Sequence, residues 1–289
     1  MKREGRLMAD ERAAGPPGQL DLRIDQPHTA RVYDYFLGGK THYDVDRKAG
    51  DQVIAIWPGV LAAARANRTF MRRAARVLAA EYGIGQFLDI GTGIPTEPNL
   101  HQVVQEENPR ARVLYVDNDP IVLAHARALM NSSPEGRTAY LHADVTEPES
   151  ILRSAELART LDLSRPVALS VVGLLHFVPD ESDAYGLMEQ FTAELPPGSA
   201  LVVSHATGDF DAEAMEKVAQ VYKSSITRTQ LRSKEELTRF FRGFDVVEPG
   251  IEVPHRWRPE AKDGVHIGGE LDVVDDAAVG VWVGVAVKP

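Results

Sequence analysis

Three aspartates close three short apolar runs: Asp89 in "QFLDIG", Asp117 in "VLYVDND" and Asp144 in "YLHADV". Such runs read as parallel strands, and in a doubly wound sheet ligands collect outside the carboxyl ends of the strands. An ionised carboxylate only accepts hydrogen bonds. An acid at the second strand end therefore suits the two hydroxyls of a ribose and repels a 2′-phosphate. An acid at the third strand end suits the amino donor of adenine. Together the three positions read as an adenosine site.

What joins the ribose is set by the first turn, "GTGIPTE", residues 91–97. Gly91 and Gly93 follow a strand, as in a dinucleotide-binding turn, but Thr96 stands where that fingerprint has its third glycine. A pyrophosphate also wants free amides and positive charge, whereas Pro95 has no N–H and Asp89 and Glu97 are acids. Two acids suit a ligand that carries an ammonium and a sulfonium, and that ligand is S-adenosylmethionine. The glycines then allow the backbone to approach its amino-acid part closely. Two other readings stay open here: a module that binds S-adenosylmethionine or S-adenosylhomocysteine without catalysis, and an NAD-dependent oxidoreductase.

Further candidates lie around these strand ends. The fourth apolar run leads into "GLLHF", where His176 faces the position of a transferring methyl and is the candidate catalytic residue, a general base toward a substrate hydroxyl. No Asn-Pro-Pro-Tyr type signature stands there, which disfavours the amino groups of bases and of glutamine as acceptors. Arg68 has the fork geometry to hold a cofactor carboxylate. Its neighbours Arg72, Arg73 and Arg76 read as a solvated helix face. His205, ending the fifth run, reads as a pocket or capping residue, and Arg256 and Trp257 as substrate contacts in a late flap. The histidines and acids show no metal-ligand spacing such as His-Glu-x-x-His, so the expected enzyme is metal-independent.

The elements that must position these residues follow from periodicity. Residues 1–20, with Gly15-Pro16-Pro17-Gly18, read as a flexible leader, and 21–83 as three helices forming an N-terminal cap. From residue 84 to 289 strands and helices alternate, and the chain ends in two successive strands, "FDVVEPGIEV" and "AVGVWVGVAVKP". The alternation implies an α/β, doubly wound parallel sheet. The last two strands should pair antiparallel across a long helix-free connection, residues 254–278. Asp119-Pro120 should open a helix as N-cap and first residue.

Composition narrows the class. The net charge of −10 argues against a protein that coats nucleic acid or an anionic membrane. The absence of cysteine removes disulfides, thiolate metal sites and thiol nucleophiles together. No apolar stretch is long enough to span a bilayer and the start has no apolar signal core, so a cytoplasmic protein is expected. A small-molecule acceptor is the expected partner, and the oligomeric state is left open.

The segments "ARVYDYFLGGKTHYDVDR", "ANRTFMRRAARVLA", "QFLDIGTGIPT" and "VLYVDNDPIVLAHARALM" resemble a group of bacterial, chiefly actinobacterial, proteins, the S-adenosyl methyltransferase or DUF574 family, within the class I S-adenosylmethionine-dependent methyltransferases. The resemblance runs from about Ile24 to the C-terminus. It implies a seven-stranded Rossmann-like sheet whose last strand is antiparallel and inserted beside the fifth. It also implies that Asp89, Gly91 and Gly93 form the first cofactor motif, that Asp117 holds the ribose, and that Asn118, Asp144 and Val145 border the adenine. In such enzymes an N-terminal helical cap often closes over the cofactor, and Tyr33 would then lie near the sulfonium.

Overall fold

The structure is a computed structural model, and it describes residues 22–129, 132–260 and 275–289. The expected leader and most of the late flap lie outside these residues. Seven strands form one sheet: β1 (Gln86–Ile90), β2 (Arg112–Asp117), β3 (Arg137–His142), β4 (Ala168–Val172), β5 (Ala200–Ala206), β6 (Asp245–Val246) and β7 (Val281–Val287). Their order is β3-β2-β1-β4-β5-β7-β6. The first five are parallel, and β7 runs antiparallel between β5 and β6. The order reverses between β1 and β4, so the switch point falls at the carboxyl end of β1, beside Asp89 and Gly91.

The two-residue period of the strands sorts side chains onto two cores. Leu88 and Ile90 face helices α6 (Pro148–Leu152), α7 (Ala155–Thr160) and α8 (Ala184–Ala193). Phe87 faces α3 (Val60–Ala80) and α4 (Leu100–Glu107). Asp89 shares the Phe87 side by the same alternation, which is why a residue of α3 can meet it. The remaining helices are α1 (Thr29–Phe36), α2 (Asp44–Ile56), α5 (Pro120–Leu129), α9 (Ala212–Ser225), α10 (Lys234–Thr238) and α11 (Asp276–Val279). Among the described residues no helix is long and apolar enough to cross a membrane.

The sheet, the antiparallel last strand and the helix opened by Asp119 agree with the sequence reading. Asp119 accepts the Ile121 amide at 2.9 Å. The sixth strand is much shorter than "FDVVEPGIEV" promised. Pro249 has no amide to offer a ladder and Gly250 turns the chain at φ +97°, leaving two paired residues and one later bridge, Glu252 to Val283. The connection expected to be helix-free ends in α11, capped by Asp275. Helix α3 belongs to two layers. Its N-terminal half packs with α1 and α2, while Phe70, Ala74 and Leu78 fill the sheet's core.

The cap is fastened to the sheet by charge. Arg31 of α1 is 1% exposed. Its Nε lies 3.2 Å from Asp119 and its Nη1 3.6 Å from Asp46. Asp46 also accepts the His28 and Tyr43 amides at 2.9 and 2.8 Å, and Arg31 donates to the Gln26 carbonyl at 3.0 Å. Removing one member of a buried charge set strands the others. Arg31→Ala should lower unfolding free energy by about 3–5 kcal/mol in a denaturant titration. An unchanged midpoint would show that the apolar seam alone holds the cap.

Candidate active site

The turn after β1 is drawn over β2 by its own amides. Gly91 N–H donates to Val116 O at 2.8 Å, and Gly93 N–H donates to Asp117 Oδ2 at 2.8 Å. Asp117 Oδ1 accepts the Asp119 amide at 2.9 Å. One carboxylate therefore ties the glycine turn to the start of α5. Each oxygen keeps a further lone pair, enough to accept a pair of hydroxyls. Gly91 (φ +74°) is fixed by sterics as well: a Cβ there would lie 2.8 Å from the Leu174 side chain.

These residues form one wall of a large cavity at the carboxyl ends of β1, β2, β4 and β5. Its empty space, open mouth included, is about 1490 Å³. Of the predicted residues, Tyr33, Arg68, Asp89, Gly91, Gly93, Asp117, Asn118, Val145 and His176 all line it. Asp144 does not. It stands behind Asn118, accepting its amide at 2.8 Å, and also accepts the Thr146 amide and hydroxyl. Burial alone would raise the Asp144 carboxyl, but these donors outweigh it and hold the group below the ordinary carboxylate value. The structure thus makes Asp144 a brace for Asn118.

Three other expectations change. Glu97 is exposed, takes a hydrogen bond from Gln102 and is absent from the cavity wall, so of these two acids only Asp89 faces the cavity. Trp257 is fully buried against Phe70, outside the cavity, and Arg256 pairs with Asp276 at 3.0 Å. The arginines of α3 are not a solvated face. Arg73 is buried and donates to the carbonyls of Trp257 and Pro254, and Arg72 donates to those of Pro98 and Glu97. The physical reason is shared: backbone carbonyls of two loops, invisible in sequence, pass over that helix.

Arg68 donates to Thr96 O at 3.2 Å, while its buried Nε has no protein partner. Asn67, beside it, gives its amide to Tyr33 Oη at 3.1 Å and leaves Oδ1 unpartnered. Tyr33 Oη in turn donates to Ala64 O at 2.9 Å. Orphaned buried polar atoms on cavity-lining residues mark places where a ligand supplies the partner. The set fits S-adenosylmethionine: donors at Arg68 for a carboxylate, acceptors at Asp89 for positive charge, and Asp117 for the ribose.

The far side of the cavity holds the histidines. His205, at the end of β5, has Nδ1 2.7 Å from Ala206 O and Nε2 2.8 Å from Arg232 Nη1. A carbonyl only accepts and a guanidinium only donates, so His205 is the neutral Nδ1–H tautomer. Burial, with His176 and Arg232 beside it, holds its pKa well below the usual value. His176 lies 5.6 Å from His205, ring to ring, and its Nδ1 has no protein partner. Burial and the Arg232 charge pull the His176 pKa down to about 3. Arg232 is the residue that sequence reasoning missed. It is fully buried, donates to the Leu175 and Val178 carbonyls and to Asp180, and packs against the stacked pair Tyr185 and Phe240. No motif marks it, because its partners come from strand and loop ends far away in the chain.

A switch-point cavity bordered by a glycine turn, an acid at the second strand end and an N-terminal helix lies in a seven-stranded Rossmann-like methyltransferase sheet. The chain belongs to the S-adenosyl methyltransferase family, whose model it matches over residues 17–289. It is an S-adenosylmethionine-dependent methyltransferase. It is similar to a DUF574 family protein from Streptomyces avermitilis, at 47% identity over 92% of this chain and 100% of that one, with a TM-score of 0.88. It is also similar to a Thermobifida fusca protein assigned to the methyltransferases, at 38% identity over 94% and 98% of the two chains, TM-score 0.83. An O-methyltransferase family protein from Burkholderia thailandensis, 13% identical over 75% of this chain and 55% of that one with a TM-score of 0.50, shares the fold. No curated protein matches the sequence.

Burial raises the Asp89 carboxyl above its ordinary value, so its ionised form costs the folded state stability at neutral pH. That cost fades as pH falls through the raised pKa. Asp89→Asn should therefore raise the thermal midpoint at neutral pH, with the gain shrinking toward the ordinary carboxylate range. A lower midpoint at neutral pH would mean that contacts with Ser170 and Thr92 outweigh burial.

Proposed function

We propose that the protein transfers the methyl group to an oxygen or nitrogen of a small-molecule acceptor, with the cofactor at the β1–β2 end of the cavity and the acceptor at the His176 end. The observation that carries this reading is the division of the cavity wall. Its acids and its arginine, Asp89, Asp117 and Arg68, stand together at one end, and the neutral His176 and His205 stand at the other. The bound cofactor supplies an electrophilic methyl on a sulfonium. Asp117 accepts from the ribose hydroxyls, Arg68 holds the carboxylate, Asn118 and Val145 border the adenine, and Tyr33 offers its ring to the positive sulfur, worth roughly 0.5–2 kcal/mol. The helices of residues 21–83 act as a cap over both ligands.

Alignment of nucleophile, methyl and sulfur supplies most of the acceleration in an in-line displacement. A base works best with a pKa near the operating pH. At about 3, His176 is a weak base. We therefore assign it to holding the acceptor through its unpartnered Nδ1, and the acceptor's proton is given up to solvent water. A small acceptor fits the setting, because α1, α3 and α9 all contribute to the wall. The acidic net charge speaks against nucleic acid, and the intracellular setting expected from the sequence fits such an acceptor.

Two substitutions test the assignment. Asp117→Ala should weaken S-adenosylhomocysteine binding at least about tenfold, or about 1.4 kcal/mol, in calorimetry; unchanged affinity in a folded variant would remove the ribose assignment. His176→Gln should spare that affinity and slow transfer to an acceptor found by radiolabelled-methyl screening. The wild-type pH–rate profile should show no inflection near the ordinary histidine pKa of about 6.5. An inflection there that His176→Gln abolishes would restore the general base.

A further inference from the structure

We infer that the acceptor half of the cavity is a preformed chamber for an uncharged, largely apolar ring compound that presents one hydroxyl or amine. This rests on the cofactor placement proposed above, and it goes further by naming the chemistry of the second ligand.

The chamber is built at the seam between the cap and α9. Phe36, Trp57, Val60 and Ala64 contribute from the cap, and Met215 and Val218 from α9. All but Met215 also belong to the apolar cluster that joins the cap to α9. Phe177 and Tyr222 add two rings, 5.4 Å apart and tilted. None of these eight side chains is ionisable near neutral pH; burial pushes even the Tyr222 hydroxyl further from ionisation. The histidines at the floor do not supply charge either, since His205 is wired as a neutral tautomer between Ala206 O and Arg232. The guanidinium behind it is already engaged by Asp180 and two carbonyls.

An ionised acceptor entering this half would lose its hydration without meeting a counter-charge, and that penalty is large. A neutral ring loses little and gains contact with four aromatic side chains. Its single polar group has defined partners: the unpartnered Nδ1 of His176 and the unpartnered Oδ1 of Asn67. The shape is fixed as well. The Trp57 indole donates to Ala277 O at 3.3 Å, and its ring lies against Gly280, where an added Cβ would stand 3.0 Å from it. With Gly280 at φ +52°, the start of β7 can pass directly beneath the indole.

The test uses three probes of one shape on the full chain: 2-naphthol, 2-naphthoate and the naphthylmethylammonium ion. Each is titrated calorimetrically with and without saturating S-adenosylhomocysteine. 2-Naphthol should bind at least about tenfold more tightly than either charged probe, since only the charged ones are desolvated without a partner. Tyr222→Glu should weaken 2-naphthol by about tenfold or more while leaving S-adenosylhomocysteine affinity within about threefold, and Tyr222→Phe should leave both. A charged probe that binds as tightly as 2-naphthol overturns the proposal in the wild-type protein alone, whether or not the glutamate variant folds. So does undiminished 2-naphthol binding in a Tyr222→Glu protein that still takes S-adenosylhomocysteine. Failure of S-adenosylhomocysteine to bind the wild type would instead sink the cofactor placement, and the probe ranking without it would still decide the chamber.

Discussion

The arrangement depends on one buried guanidinium. Arg31 leaves water to sit between Asp119, which opens α5, and Asp46, which organises the entry to α2. Neither acid is 2% exposed, so Arg31 is the counter-charge that each meets inside the fold. This contact sets the position of α1 relative to the end of β2. Tyr33 and Phe36 are carried on that helix, and both line the cavity. The cap is thus registered on the same turn that presents Asp117, two residues before Asp119.

Asp117 plays the corresponding part on the sheet side. Its carboxylate is spent twice on backbone amides before any ligand arrives, at Gly93 and at Asp119. Those bonds hold the glycine turn open over β2 and leave the acid aimed into the cavity. The cost is a buried negative charge beside a second one at Asp89. Burial raises both carboxyls, each further raised by an acid nearby, and Arg68 and His28 supply the compensating field. A site that is short of positive charge when empty is a site that favours a cationic ligand, and this is the electrostatic sense of placing acids where a pyrophosphate-binding turn would have none.

The sequence carried the strand–helix alternation and the cluster of residues around the glycine turn, because both are written in local signals. Strand-length apolar runs, an Asp-Pro helix start and a glycine turn each fit within a few residues. What local signals could not carry was decided by loops crossing from elsewhere. Arg73 looked solvated because the carbonyls of Pro254 and Trp257 that bury it come from the far end of the chain. Arg232 had no motif, since its role exists only where β5 and the 175–180 segment meet. Glu97 lay close to the turn in sequence, yet the chain bends so that it faces Gln102 and solvent. His176 does line the cavity, but its basicity could not be read, because burial, together with the Arg232 charge, suppresses it.

The central claim is that one cavity is divided into a charged cofactor seat and a neutral acceptor chamber. A crystal structure with S-adenosylhomocysteine tests it most directly. The account predicts ribose hydroxyls within hydrogen-bond distance of Asp117, the amino-acid carboxylate at Arg68, and the sulfur facing the His176 end with the space among Phe36, Trp57 and Tyr222 left free. A product molecule whose ribose lies away from Asp117, or whose adenosine fills that aromatic space, would contradict it.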